Sequence, residues 1–469
     1  MVRQGLISLT IRCFFLLGLL LLTAACAYRG NVSNNTSNHS QPGLQANNSV
    51  QVALNSEENL RSLTLQELMS IPVNPNLESF GIHQSADNEI DQDTVQFALF
   101  APISEFPAYS AEIVVAAEMA IEQINLSGGV LGKRLVLLRA DDKENTPVSA
   151  ALAKQLAEEF NVSGFIGPST SDSVIDVLEQ VAIPHQIPLI TQGASTMRLT
   201  AIAGDHPFWR MTTNNQQQVE LITDFLTNQR QHKKILLITG RDLYSEEIAA
   251  GVKAHFEKID NSMVEQLSIS NLVYIDVMNL ERDLANAQKK GVTAIVTTLV
   301  NQQVKGLMEK VKRHWKGAFP TIVIGDTVTP KYLMDAKLGK ITACIFSYDG
   351  SHGGFSPEMN RRIESIIDTQ ATGIHGAYIF DAVMLQAMAK VVAERFNLPF
   401  KQAMEKITGN GKKISPDDYA NIEALFKQYG ELSYHGYSGR VHFSDKGDNL
   451  SAKQSMYSIG DKKLQESCL

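Results

Sequence analysis

The sequence predicts an α/β protein of two Rossmann-like lobes, each a parallel sheet flanked by helices, and three observations lead to that fold class. Short apolar runs rich in Val, Ile, Leu and Phe recur along residues 94–325. Segments of helical period alternate with them, as in parallel strands joined by crossover helices. The alternation comes in two series, over residues 94–191 and 234–325, which implies two lobes with a cleft between them.

In the first series, residues 94–101 (TVQFALFA) read as a strand and residues 111–125 as a helix with Ala, Ile, Met and Val along one side. A glycine-rich turn at 126–133 leads to a strand at 134–140 and a helix at 147–160. A strand at Gly164, a helix ending near His185 and a strand at 188–191 follow. The second series has strands at 234–239, 293–298 and 321–325 and helices at 245–258, 281–290 and 302–315.

A length of 469 residues, 44% of them hydrophobic and 20% charged, suffices for two or three domains with sizeable cores. The net charge of -8 is spread along the chain, so no basic stripe supports nucleic-acid binding. Arg3 and Arg12 accompany an apolar run at 13–25 that is too short for a spanning helix and reads as a secretory signal. Its end, Leu22-Thr23-Ala24-Ala25-Cys26, resembles a bacterial lipobox. Residues 1–26 would then be a lipoprotein signal peptide with Cys26 lipidated, anchoring the exported protein to a membrane surface; an ordinary signal peptide is the alternative. Residues 27–92, rich in Asn, Ser and Gln, are expected to form a flexible tether. Within it, 63–73 (LTLQELMSIPV) has the apolar spacing of one short amphipathic turn able to dock on a partner or on the protein itself. Cys344, in an apolar stretch that reads as a strand, and Cys468 remain in the exported part, and a disulfide between them is left open. No CxxC or HExxH spacing supports a metal site, and the eleven His are scattered.

The stretch 164–173 (GFIGPSTSDS) delivers the end of a strand to the start of a helix. Backbone N–H groups and the hydroxyls of Ser169, Thr170 and Ser171 there suit a small anion such as a carboxylate. A hydroxyl that merely caps the helix is the competing reading. Open parallel sheets bind ligands at the carboxyl ends of their strands, which is where this stretch falls.

Five phrases in order carry a resemblance: residues 118–133 (EMAIEQINLSGGVLGK), Asp141-Asp142, 166–173 (IGPSTSDS), 188–200 (PLITQGASTMRLT) and 436–448 (GYSGRVHFSDKGD). Through them residues 94–448 resemble the type I periplasmic binding proteins, and among these the branched-chain amino acid (Leu/Ile/Val) binding branch of ABC-transporter substrate-binding proteins. The resemblance implies the periplasmic binding protein-like I fold, two lobes joined by three hinge crossings near Thr212, Ser347 and Gly436. The first lobe would comprise 93–212 plus 348–436, the second 213–347 plus 437–469. Carried over by position, Ser171 takes the ligand carboxylate, and Ala194 and Ser195 hold the α-carboxylate and α-ammonium. Tyr109 lines the side-chain pocket, Tyr244 closes on the amino acid backbone, and Asp326 pairs with the ammonium. Read without the family, Tyr109 and Tyr244 are also packing aromatics and Asp326 a loop cap. The chain departs from the family at Leu299, Val300 and Asn301, where a second Tyr or a Gly-Tyr pair is common, and at Asn215, which replaces a common Asp. Glu144 and Thr170 stand where some members carry a disulfide.

The function this implies is an extracytoplasmic solute-binding lipoprotein that captures a small molecule, an amino acid above all, and delivers it to an ABC permease without cofactor or catalytic residue. The alternative is a ligand-sensing envelope lipoprotein that regulates a membrane or cell-wall enzyme by contact. The long tether, residues 63–73 and Ala27 favour that alternative, because in Gram-negative bacteria a lipoprotein lacking Asp after the lipid Cys is usually sent to the outer membrane. An enzyme finds little support: Asp172 and Asp176 lie one helical turn apart, as on a solvated face, and no Ser/His/Asp arrangement is readable.

Overall fold

The computed structural model describes residues 82–84, 93–269, 277–328, 343–348, 361, 365, 374–460 and 463–465. Cys26, the segment 63–73 and Cys468 lie outside the described residues, whereas Cys344 falls in a strand, as its apolar surroundings suggest.

The first sheet is built around β2 (Thr94–Ala101), with β3 (Arg134–Asp141) on one side and β4 (Gly164–Ile166), β5 (Leu189–Thr191) and β6 (Phe208–Arg210) on the other, all parallel. Both faces are buried. Phe97 and Leu99 join Leu135, Leu137 and Ile190 in one core, while Ala98 and Phe100 join Leu138, Phe165 and Leu189 in the other. A strand covered on both faces reads as a continuous apolar run, which is why this series was legible. Helices α1 (Pro107–Leu126), α2 (Thr146–Glu159), α3 (Ser171–Val177) and α4 (Arg198–Ala203) connect the strands, α3 running on through helical turns to His185.

Two features of this lobe correct the sequence reading. The tether expected through residue 92 is interrupted by β1 (Ile82–Gln84), which pairs antiparallel with β3 and buries Ile82 completely. An open strand edge beside an apolar residue outweighs the polar composition around it. The sequence pattern also passed over α9 (Ile374–Phe396), the helix that packs against α1, because a helix buried all round has no amphipathic period. By length and composition it could cross a membrane, yet 89% of its apolar window is buried inside the fold.

The second sheet repeats the scheme. β8 (Met263–Ser268), β7 (Lys234–Thr239), β9 (Ala294–Thr297), β10 (Thr321–Ile324) and β11 (Ala343–Tyr348) are parallel neighbours, and β15 (Gln454–Gly460) and β16 (Lys463–Gln465) extend the edge antiparallel. Leu236, Ile238, Ile295 and Ile322 face one core, and Ile235, Leu237, Val296 and Val323 the other. The covering helices are α5 (Asn215–Asp224), α6 (Leu243–Phe256), α7 (Val277–Lys289) and α8 (Asn301–His314). In each sheet the parallel strands run outward in both directions from one central strand, so the order reverses between β2 and β4 and again between β7 and β9. Such reversal points open a crevice at the carboxyl ends of the strands.

After α9, the helices α10 (Phe400–Ile407) and α11 (Ile422–Tyr429) and a small sheet of β12 (Lys412–Ile414), β13 (Leu432–Gly436) and β14 (Gly439–Arg440) join the first lobe's core through Tyr434, Val441 and Phe443. After Gly436 the chain remains against the first lobe. Past that residue, the fully buried Arg210 pairs with Asp448 at 3.0 Å and Asn449 Nδ2 donates to Met211 O at 3.0 Å, and the second sheet is entered only at Gln454. The reason is Asp381 of α9. It is completely buried and accepts from the Tyr434 hydroxyl (2.7 Å), the N–H groups of Tyr437 (3.1 Å) and Ser438 (2.7 Å), and the Ser438 hydroxyl, which ties the strand turn to the first lobe.

Asp381→Ala should destabilise the protein by about 3–5 kcal/mol, because it leaves several buried donors unsatisfied. Gly436→Ala should cost about 1–3 kcal/mol by overpacking, since a Cβ there would lie 2.0 Å from Asp381 Oδ1. Urea denaturation checks both: a midpoint equal to that of the unsubstituted protein in either variant would contradict the tie.

Candidate functional site

The first lobe brings the loops after β4 and β5 together. Thr191 Oγ1 donates to Pro168 O at 2.7 Å and accepts from Ala194 N–H at 3.2 Å, so one buried hydroxyl joins the two loops. Gly193 has no side chain to spare here, since a Cβ would lie 2.8 Å from Ser169 O. Ser171, 4% exposed, accepts the Thr196 N–H at 3.3 Å on its Oγ, and Ser195 O accepts the Asn215 N–H at 2.8 Å. Ser171, Ala194 and Ser195 therefore share one small region. The capping alternative finds no support at Thr170, which takes the N-cap position without a side-chain capping bond. Tyr109, in the first turn of α1, reaches the same region: its hydroxyl accepts from Gln192 Nε2 at 3.3 Å, and its ring meets His375 edge-on at 5.2 Å. Burial pushes its phenol well above the usual range, opposed by the hydrogen bond from Gln192.

Across the cleft, the buried Tyr244 belongs to an apolar core and also donates its hydroxyl to Gln218 Oε1 at 2.7 Å. Gln218 Nε2 donates in turn to Asp326 Oδ2 at 2.7 Å, and Gln454 Nε2 donates to the same oxygen at 3.2 Å. Asp326 thus receives amides from other elements. Gly325 is tied to this line, because a Cβ there would lie 2.5 Å from the Tyr244 hydroxyl.

The two lobes meet through α6. Glu247 accepts from Thr196 Oγ1 at 2.5 Å, from Met197 N–H at 2.9 Å and from Asn215 Nδ2 at 2.8 Å, and Leu243 N–H donates to Asp172 at 3.2 Å. Asp172 is therefore not simply a solvated residue. Glu112, 1% exposed, accepts the Gly376 N–H at 3.1 Å, and the charges of Glu112 and Asp326 both act on His375, whose burial favours its neutral form. Sequence reasoning missed Glu112, Gln218, Glu247 and His375, which no motif marks, and passed over Gln192 inside the phrase 188–200; Asn215 was noticed only as a departure from the family.

Among the described residues no group of three or more His, Cys, Asp or Glu could hold a metal ion. A surface depression of about 330 Å³, lined by Asn161, Ser163, His185, Pro188 and Lys390 among others, lies at the opposite, amino ends of β4 and β5. It is remote from the cleft chemistry.

Asp142 at the cleft mouth is 2% exposed and accepts from Glu144 N–H and Ser149 Oγ. Burial, opposed by those bonds, pushes its carboxyl from the ordinary 3.8 up to about 6. A carboxyl raised on folding binds its proton more tightly in the folded state, so its contribution is fully present below about pH 4 and is lost as pH rises through about 6. Asp142→Asn should remove up to about 3 kcal/mol of that fall. Thermal unfolding of both proteins from acid to neutral pH measures it, and parallel curves would exonerate Asp142.

Residues 94–317 match the periplasmic binding protein family. An amino acid binding protein from Pseudomonas aeruginosa is 29% identical over 143 residues, which are 30% of this chain and 38% of that protein, so the match spans less than half of the relative. The Leu/Ile/Val-binding protein BraC3 from Rhizobium johnstonii is 25% identical over 376 residues, 77% of this chain and 91% of that one. The solved structure of the branched-chain amino acid transporter substrate binding protein LivJ from Streptococcus pneumoniae, in complex with isoleucine, superposes with a TM-score of 0.62 at 17% identity, covering 79% of this chain and 98% of that one. All three are binding proteins rather than enzymes. Two doubly wound sheets complete the agreement: this chain has the fold of the type I periplasmic binding proteins, and its residues 94–317 match the periplasmic binding protein family.

Proposed function

We propose that the protein is an extracytoplasmic solute-binding lipoprotein, held to the cell envelope through Cys26, that captures an amino acid between its lobes and hands it to an ABC permease. The observation that carries this reading is that hydrogen bonds from α6 bring the two reversal points together. On one side stand Ser171, Ala194 and Ser195; on the other, the line Tyr244–Gln218–Asp326. A zwitterion needs donors for its carboxylate and acceptors for its ammonium, and both ends must be satisfied together once water is excluded. In this reading Ser171 and the backbone beside it hold the carboxylate, Ser195 and Asp326 the ammonium, and Tyr109 flanks the side chain. The relatives named as amino acid and Leu/Ile/Val binders support the ligand class.

Thermal denaturation of the purified protein against a panel of amino acids tests the proposal. A ligand present at about 100 times its dissociation constant should add roughly 2.7 kcal/mol of stability. Ser171→Ala and Asp326→Ala should each weaken binding of the responding amino acid by about 1–3 kcal/mol with the fold intact. Unchanged affinity in both variants would move the ligand elsewhere.

A further inference from the structure

We infer that the base of the second lobe, at the amino ends of its strands, is a docking surface for the anionic headgroups of a phospholipid bilayer. The sheet fixes this pole. β8, β7, β9 and β10 are parallel neighbours, so their amino ends lie along one edge of the lobe and their carboxyl ends along the opposite one, toward the cleft. Exposed cations precede each of the four strands. Arg230, Lys233 and Lys234 lead into β7, and Lys258 into β8. Lys289 and Lys290 lead into β9, and Lys312, Arg313 and Lys316 into β10. Hydrogen bonds hold these approaches side by side. Lys234 Nζ donates to Lys290 O at 3.1 Å, and the Gln288 side chain of α7 bonds both the N–H and the O of Lys316. The His232 ring joins Thr293 Oγ1, just before β9, at 2.9 Å and Thr321 Oγ1, at the head of β10, at 3.1 Å.

Helix dipoles account for only part of this charge. A cation in a helix's last turn offsets the partial negative charge there, which covers Lys289 of α7 and Lys312 and Arg313 of α8. It does not cover Lys233, Lys234, Lys258 or Lys316, and in the first lobe α1 and α2 end with no basic residue in the last turn. Local acids do not neutralise the pole either. Glu265 pairs with Lys290, Asp224 takes the amides of Asn228 and Gln229, and Glu257, Asp260 and Glu309 also stand at this end. Cations still outnumber acids there, in a chain whose net charge is -8. Most of them are lysines, mobile point charges that suit a diffuse field of headgroup phosphates better than one fixed anion. Phe319, 41% exposed, sits in the turn that Trp315 Nε1 pins by donating to Ala318 O at 3.0 Å. An aromatic ring beside lysine stems suits the boundary between headgroups and acyl chains. The pole thus stands the second lobe on the bilayer and lifts the cleft off it. The anchor proposed through Cys26 would bring a bilayer within reach, but the charge of the pole does not depend on it, nor on any ligand.

Co-sedimentation of the purified full-length protein with vesicles of phosphatidylcholine alone, and of phosphatidylcholine and phosphatidylglycerol in equal parts, tests this. The anionic vesicles are expected to bind at least about tenfold more tightly at low salt, and the difference should vanish at high salt. Lys312→Ala, Arg313→Ala and Lys316→Ala combined should remove about tenfold of that preference or more. The same loss of charge at Lys413, Lys427 and Lys446, exposed positions away from the pole, should leave the preference unchanged. No preference for anionic vesicles, or a preference that the two triple variants lower equally, overturns the inference. Dextran sulfate bound through Lys312, Arg313 and Lys316 while anionic vesicles are not would assign the pole to a soluble polyanion and overturn the bilayer. Any of these failures leaves amino acid binding in the cleft untouched.

Discussion

The hydrogen bonds that Glu247 accepts from Thr196 and Met197 set where α6 stands against the first lobe, its bond from Asn215 ties α6 to α5, and the rest of the cleft is placed from there. Tyr244 lies three residues before Glu247 on α6, and Gln218 three residues after Asn215 on α5, so each pair shares a helix face. Contact at Glu247 and Asn215 therefore brings Tyr244 and Gln218 into register as well, and Gln218 carries that register on to Asp326. Charge-assisted bonds gain most where water is excluded. The lobes' closeness and the strength of the contact reinforce each other.

The distribution of apolar surface explains how such a contact can be reversible. Each sheet has a core on either face, and four separate clusters hold the lobes together internally. Between the lobes the bonds around α6 are polar, and among the described residues Leu243 of the second lobe packs against a first-lobe core. Separation thus exposes little apolar area and exchanges protein hydrogen bonds for hydrogen bonds to water, a trade close to balance. On the proposed reading, a small ligand with differential affinity for the closed state would then be enough to shift the population.

The sequence made the two sheets legible because strands buried on both faces are apolar without interruption, and helices such as α2 carry a clear period and a polar cap at Asn145. The loop at Ser171 was read from its Gly, Pro and hydroxyl residues after an apolar run, whereas the loop at Ala194, where Gly193 closely approaches Ser169, was reached only through the family resemblance. Glu247 was not legible: in SEEIAAGVK it reads as one more solvated acid, and its partners lie 32 to 51 residues away. His375 and Glu112 were hidden for a different reason, as polar residues scattered among others in largely apolar helices. Gly436, singled out only through the family resemblance, makes room for the Asp381 carboxylate, a role its sequence context does not announce.

The cleft divides its work between backbone and side chains. Around Ser171 the geometry is made by Thr191 bonding backbone atoms on both loops and by a glycine whose side chain would not fit, elements that can meet only what all amino acids share. Beside them stand Gln192, Asn215 and Gln454, each committed to a neighbour at its nitrogen, and Gln218, committed at both ends between Tyr244 and Asp326. On the proposed reading, affinity for the common part of a ligand is written into the fold. Choice among side chains rests instead on a few amides and carboxylates that substitution can change without disturbing either sheet. A family resemblance carried by the loops therefore transfers the site more securely than it transfers the ligand.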